Sequence, residues 1–237
     1  MTFEYAGIYL TDSFKDTQEG RVRAEMVLRH YFKQLAGDNG GYTGGAWDTF
    51  DPSGTREANP DTFTADDLIA CSLLSAPIPG RAAVELLDRR AERFSQLLAG
   101  VGEDRDFIEV NDPDGPELQG LDRLDRELRA LPGVGLTRTT KLLARKRPRL
   151  VPIVDGVIKQ VVFSGGPHYR TPLHRALTAN DRRLWKHLAE LKASAGLDSA
   201  VPVLRVFDVL AWMDGTGNSS KALAGDEIES TVLVEDE

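Results

Sequence analysis

Cysteine is almost absent: Cys71 is the only one in 237 residues. A lone cysteine excludes an internal disulfide framework and any four-cysteine zinc or iron–sulfur site, and it fits a reducing, cytoplasmic setting. Also missing is any apolar run long enough to cross a bilayer, so no membrane association is expected. The opening MTFEYAGIYLTDSF has neither a basic n-region nor an apolar h-region, which argues against a secretory leader. No pair of alternating segments is joined by Asn-Gly or Asp-Gly, so no substantial sheet is expected. No spacing of potential ligands recommends a metal, and no cofactor is expected.

Positive charge is scarce too. The chain carries 29 Lys and Arg against 37 Asp and Glu, a net −8, which taken alone speaks against nucleic acid. Its distribution reverses that inference. From Gly215 onward Lys221 stands against six acids, so this segment carries −5 and residues 1–214 only −3. Residues 138–149 hold Arg138, Lys141, Arg145, Lys146, Arg147 and Arg149 with no acid among them. A second basic stretch runs from His168 to His187, where Arg170, Arg175, Arg182, Arg183 and Lys186 are opposed by Asp181 alone. His168 and His174, set among arginines, read as phosphate-contacting or surface residues. Two basic patches on an acidic chain predict a local anionic partner.

Helical spacing dominates the rest. RVRAEMVLRHYFKQLAG places Val22, Met26, Leu28 and Phe32 on a helix that stops at Gly37. TADDLIACSLLSAPI predicts a helix capped by Thr64, with Asp67 in the capping-box position and Pro77 as its end. GRAAVELLDRRAERFSQLLAG repeats Val84, Leu87, Phe94 and Leu98 and closes on Gly100. PELQGLDRLDRELRALPG sets Leu121, Leu124 and Leu128 on one face. Further helices are expected at about 137–146, 155–163, 172–176, 181–195 and 202–213. The fold class is therefore mostly α. Residues 1–214 are expected to form one globular unit of two helical lobes with a cleft between them. The hairpin lobe spans roughly 64–163 and the N-terminal and C-terminal helices make the other lobe. A flexible acidic tail, 215–237, follows. Residues 38–63, rich in Gly, Asp and Pro, are too long for an ordinary connector, and Tyr42, Trp47, Phe50 and Phe63 argue that this loop is ordered.

The most informative stretch is LPGVGLTRTTKLLARKRPRLVPIVDGVI, residues 131–158. One amphipathic helix leads into LPGVG and another leaves it, which predicts a helix–hairpin–helix. Pro132 stops the first helix, while Gly133 and Gly135 permit backbone conformations and close approach that a Cβ would block. Val134 pins the hairpin to the core. The amides around Gly133 to Leu136 then sit at a helix N-terminus, which favours an anion such as a DNA phosphate. Thr137, Arg138, Lys141 and Arg145 on the exit helix are candidates for further DNA contacts. A plain helical corner with a solvated basic face fits the same residues.

LPGVG, the Thr-rich helix after it and VPIVDGVI together resemble the helix–hairpin–helix DNA glycosylase superfamily, over roughly residues 117–163. YTGGAWDTF and NPDTFTADDLIACSLLS also resemble an uncharacterised family common in actinomycetes. The glycosylase resemblance implies that Asp155 is catalytic and that double-stranded DNA is the partner; a monomer is expected. The chemistry suits a carboxylate, because breaking an N-glycosidic bond builds oxocarbenium character that a carboxylate stabilises while it orients or deprotonates water. Asp155 also reads simply as the N-cap of GVIKQVVF. Lyase members of the superfamily carry a lysine two residues after the second hairpin glycine, where this chain has Thr137. A monofunctional glycosylase is therefore expected, with Lys141, one turn on, as a displaced nucleophile or a phosphate contact. A flipped base needs a pocket, for which Tyr42, Trp47, Asp48 and Tyr31 are the candidates. Two alternatives remain open, a non-catalytic helix–hairpin–helix DNA-binding protein and an unrelated helical factor that binds an acidic partner.

Overall fold

A computed structural model describes residues 2–33 and 41–224. The expected helix stop at Gly37 and the acidic segment 225–237 lie outside the described residues. The fold is mostly α. Its elements are β1 (Thr2–Tyr5), β2 (Ile8–Thr11), α1 (Gln18–Tyr31), α2 (Ala65–Leu73), α3 (Gly80–Val84), α4 (Ala91–Ala99), α5 (Gln119–Arg129) and α6 (Leu136–Lys146). They continue with α7 (Gly156–Phe163), α8 (Arg170–Ser194), α9 (Val203–Gly215) and α10 (Asn218–Ala224).

The chain forms two compact units. Among the described residues a terminal unit comprises 2–33, 41–46 and 154–224, and an inserted unit comprises Trp47–Ile153. The hairpin therefore lies in a unit that starts at 47 rather than 64 and ends at 153 rather than 163. Asp155 falls in the terminal unit.

In the terminal unit β1 and β2 form a two-stranded antiparallel hairpin. Its turn is Ala6-Gly7, both at positive φ (49° and 91°), the geometry of a tight hairpin turn without the Asn-Gly signal. Ile8 and Leu10 point inward, and Phe14 meets Phe207 of α9 at 5.2 Å. α1 starts at Thr17, whose side chain accepts from the Gly20 amide at 3.1 Å. Its inward face is Gly20, Ala24, Val27, Leu28 and Tyr31, and the expected Val22 and Met26 are instead 46% and 44% exposed. Gly20 lies against the chain that precedes the helix, where a Cβ would stand 2.3 Å from the Lys15 carbonyl oxygen. α9 packs on α7 just as closely, since a Cβ at Gly215 would meet Val157 Cγ1 at 2.6 Å. α8 holds two helical stretches joined by a corner at which Asn180, Asp181 and Arg182 have φ of 50, 55 and 59°.

The expected tail begins as structure. Residues 218–224 form α10, with Ser219 and Ala222 buried, so 215–224 is not a flexible extension. Asp214, next to that segment, ties the unit together by accepting from Ser13 N and Oγ at 3.1 and 2.9 Å and from Arg23 Nη2 at 3.1 Å.

In the inserted unit α2 carries the expected capping box, Thr64 and Asp67 each accepting from the other's amide. It ends at Leu73, ahead of Pro77, with Ser75 left-handed at φ 55°. The segment after it is not one helix. α3 passes into a π turn, Glu85–Arg89, and α4 starts after Arg90. The extra residue in the wide turn rotates the pattern, so Leu86 is buried while the expected Val84 and Leu87 are 44% and 38% exposed. Phe94, Leu98, Leu121, Leu124 and Leu128 face inward as the spacing predicts. α5 approaches α4 so tightly that a Cβ at Gly120 would lie 1.9 Å from the Gly100 carbonyl oxygen.

Cys71 is wholly buried in α2, and burial pushes its thiol from 9.0 up to about 12. A disulfide reagent at pH 8 is expected to leave the folded protein unlabelled and to label it fully in denaturant. The raised value also makes stability fall as pH rises from 9 towards 12, because there the unfolded chain releases a proton that the folded chain retains. Rapid labelling of the native protein would contradict this packing.

Candidate nucleic-acid interface

α5 and α6 flank residues 130–135 as a helix–hairpin–helix. The turn is closed by the Val134 amide donating to the Leu131 carbonyl at 3.0 Å. Val134 is 3% exposed and anchors the loop, as expected. Gly133 has φ +74°, and a Cβ there would also stand 2.9 Å from Pro79 Cγ, so conformation and space both require glycine. Gly135 differs. It is the N-cap of α6 with extended backbone (φ −89°, ψ −169°), it offers no side-chain cap, and a Cβ would meet nothing within 4 Å. The first α6 amides have no intrahelical acceptor, and the glycine leaves the approach to them open.

The basic run after the hairpin is placed differently from expectation. Thr137 and Arg138 are half-buried near the helix start. Arg138 folds back, donating from Nε to the Pro77 carbonyl and from Nη1 to the Gly133 carbonyl, both at 2.9 Å. Lys141 is 5% exposed and donates from Nζ to the Leu74 carbonyl at 2.6 Å, which removes it both as a phosphate contact and as a nucleophile. Arg145 is 1% exposed. Its Nε donates to Asp67 Oδ1 at 3.1 Å, its Nη1 to the Trp47 carbonyl at 2.6 Å and its Nη2 to the Phe50 carbonyl. Lys146 Nζ shares the same carboxylate through Asp67 Oδ2 at 3.0 Å, and burial pulls its ammonium below the ordinary lysine range despite that partner. Arg147 is buried against Asp61 and the carbonyls of Pro60, Leu98 and Gly102. Arg149 is exposed and pairs with Asp106 at 2.9 Å. Charge counting read a surface patch where the chain builds a buried tie between α6, α2 and the loop.

The second basic stretch is likewise partly spoken for. Arg183 pairs with Asp16 at 3.0 Å and Lys186 with Asp181 at 2.5 Å. His187 is buried, and burial lowers its pKa, so it is no cation for a phosphate at neutral pH.

Asp155 is the N-cap of α7, with Oδ1 accepting from the Ile158 amide at 2.9 Å. It is half-buried, after the buried run Val151–Val154. Its other carboxylate oxygen makes no hydrogen bond among the described residues, and a Cβ on the following Gly156 would meet nothing within 4 Å. The carboxylate is thus oriented by its own helix and retains one oxygen.

The four pocket candidates divide. Tyr31 and Tyr42 come together in the terminal unit, stacked at 5.1 Å with 15° between the rings. Trp212 meets Tyr42 edge-on at 5.7 Å, and His30 does so at 6.0 Å. Arg205 fixes Tyr31 by donating to its hydroxyl at 2.8 Å while lying 5.3 Å over the ring. Sequence reasoning missed Trp212, His30 and Arg205; a tryptophan near the end of an otherwise core-facing helix was the available signal. Trp47 and Asp48 belong to the inserted unit and are 1% and 3% exposed, with Arg145 5.7 Å over the Trp47 ring. They are framework, and neither can stack on or read a base.

Among the described residues no group of three or more His, Cys, Asp or Glu side chains could hold a metal, and no helix is long and apolar enough to cross a membrane. A family model described as "Family of unknown function (DUF6308)" matches residues 24–215. The chain belongs to that family. No curated protein and no solved structure matches it.

Proposed function

We propose that this protein is a monofunctional DNA glycosylase, a cytoplasmic monomer that grips duplex DNA through the hairpin and hydrolyses the N-glycosidic bond of a damaged or modified base, in repair or in defence. The observation that carries the reading is the hairpin itself. Gly133 is locked at positive φ, Gly135 leaves the approach to the α6 amides open, and Asp155 caps a helix 20 residues further on with one oxygen unused. The amides and the helix dipole suit a phosphate. The Asp155 carboxylate, its rotamer fixed by the Ile158 amide, suits oxocarbenium stabilisation and the activation of water. With Lys141 engaged on Leu74 and Thr137 in the lyase position, base release should leave an intact abasic strand. Tyr42 and Trp212, at the half-buried side of the aromatic cluster, are the candidates for stacking on a flipped base.

The test is base release from a panel of duplexes carrying oxidised, alkylated, deaminated and deliberately modified bases, read before and after alkali. Strand cleavage only after alkali supports the reading; cleavage without alkali removes the monofunctional assignment. Gly135→Asp probes the hairpin by effects of opposite sign. Aspartate is a better N-cap than glycine, so the helix should gain roughly a few tenths of a kcal/mol. The same carboxylate occupies the α6 amides and repels phosphate, so DNA affinity should collapse. Gly133→Ala should instead cost about 1–2 kcal/mol of stability from its left-handed backbone alone, before the Pro79 contact is counted. An unchanged melting temperature for Gly133→Ala would contradict the hairpin geometry.

One specific observation favours a second reading, a non-catalytic DNA-binding hairpin: capping α7 already accounts for Asp155. Salt-sensitive duplex binding without base release anywhere on the panel would select it.

A further inference from the structure

The inserted unit carries a groove of about 410 Å³ beside the hairpin that the proposed reaction does not use. Leu131 and Pro132 of the hairpin form part of its lining, and Arg81, Glu85, Arg89 and Arg90 supply its charge. Three guanidinium groups face one carboxylate there, in a chain whose net charge is −8. The interrupted helix shapes this lining. The Arg90 amide reaches back five residues to the Glu85 carbonyl at 2.9 Å, and Arg90 then leaves helical backbone at φ −123°, ψ 19°. Such π turns trade good helix geometry for placement and recur at functional sites.

The three arginines are committed to different degrees. Arg90 belongs to the framework, paired with Glu127 at 2.5 Å and lying 5.0 Å over the Phe94 ring. Arg89 is 71% exposed and touches only Glu85, at 3.4 Å. Arg81 is exposed and has no side-chain hydrogen bond or ion pair among the described residues. Val84, 44% exposed, adds an apolar wall suited to a sugar ring between phosphates.

We propose that this groove is a second DNA-backbone site, in which Arg81 and Arg89 pair with phosphates of the strand held by the hairpin amides. The inference rests on the DNA reading above. It follows from charge complementarity and from continuity, since Pro132 belongs to both the hairpin turn and the groove wall. Two exposed guanidinium groups offer the planar, bidentate pairing that phosphate favours.

The experiment is the salt dependence of affinity for a short unmodified duplex, measured for the full chain and for Arg81→Ala/Arg89→Ala, Glu85→Gln, Arg123→Ala and Gly135→Asp, with melting temperatures as the check on folding. Neutralised phosphates set the slope of log affinity against log salt, so the double variant should be shallower by about 2 and bind at least about tenfold more weakly at low salt. Glu85→Gln, which removes the one acid of the groove, should bind more tightly. Arg123, exposed on α5 and outside the groove, should be neutral. A double variant with the native slope overturns the groove while leaving the hairpin standing, provided Gly135→Asp still abolishes binding. If the native chain also binds polyglutamate, and Arg81→Ala/Arg89→Ala loses that binding while DNA binding is unchanged, the groove assignment is overturned in favour of an acidic polypeptide. A native protein that binds no duplex at all overturns both readings together.

Discussion

Arg145→Ala is expected to destabilise the inserted unit strongly, not to weaken its grip on an anion. The side chain is 1% exposed and distributes its donors over the Asp67 carboxylate and two loop carbonyls, those of Trp47 and Phe50. Alanine leaves both carbonyls without this donor and Asp67 with Lys146 as its remaining cation. Removing one member of a buried ion pair costs about 3–5 kcal/mol, a large share of the roughly 5–15 kcal/mol by which a domain is stable. Urea denaturation should show the unfolding free energy falling by that amount, read as a lower midpoint at unchanged slope. Arg145→Lys should rescue little, because an ammonium on a flexible stem cannot serve three acceptors set in a fixed fork. The surface reading of Arg145 requires the opposite pattern, native stability and weaker DNA binding, so one denaturation series separates them.

The same residue shows why part of the interface was illegible in the sequence. Charge is read from composition, but burial is decided by partners far along the chain. Asp67 is legible as the capping-box partner of Thr64 in α2, and nothing local indicates that its carboxylate also holds Arg145 and Lys146, 78 and 79 residues later. A faint signal existed. Leu142, Leu143 and Ala144 leave α6 little polar face, and from Thr139 to Arg147 every residue is buried. A helix buried on all sides must bury its cations with it and supply them with partners.

Elements whose signals are local were legible. Thr64 and Asp67 form their capping box, Leu121, Leu124 and Leu128 share one face, and Val134 anchors the hairpin. Faces went astray where packing outvoted hydrophobicity. Gly20 turns inward because only glycine allows the close approach to Lys15, and the face that follows from it leaves Val22 and Met26 outward. Leu87 was displaced by the one-residue slip of the π turn. The β1–β2 hairpin turns on Ala6-Gly7, and an alanine at positive φ has no compositional marker. α10 was hidden by its Asn, Ser and Lys composition, which resembles a tail until Ser219 and Ala222 are seen to be buried. The aromatic candidates split for a related reason. Loop composition predicts order, but it does not say which ring anchors the loop, as Trp47 does, and which, like Tyr42, keeps an accessible side.

Asp155→Asn should reduce base release at least about a thousandfold while leaving the fold and duplex affinity intact. Positioned general bases contribute about 10²–10⁴, and preorganised electrostatic groups about 10²–10³. An amide supplies neither a negative charge nor a proton acceptor of useful basicity. Asparagine is as good an N-cap as aspartate, so its side-chain oxygen can still accept from the Ile158 amide that Asp155 holds at 2.9 Å. This isolates the oxygen that α7 does not use. Asp155→Ala provides the contrast, losing the same activity and about 1 kcal/mol of stability besides. Single-turnover base release with enzyme in excess is the appropriate measurement, since it reports the chemical step apart from binding and product release. If the asparagine variant releases base at the native rate, the carboxylate is only a cap and the chemistry lies elsewhere in the chain. If both variants lose release but the alanine variant alone loses stability, the two roles of Asp155 are separated: one oxygen holds α7 and the negative charge serves the sugar.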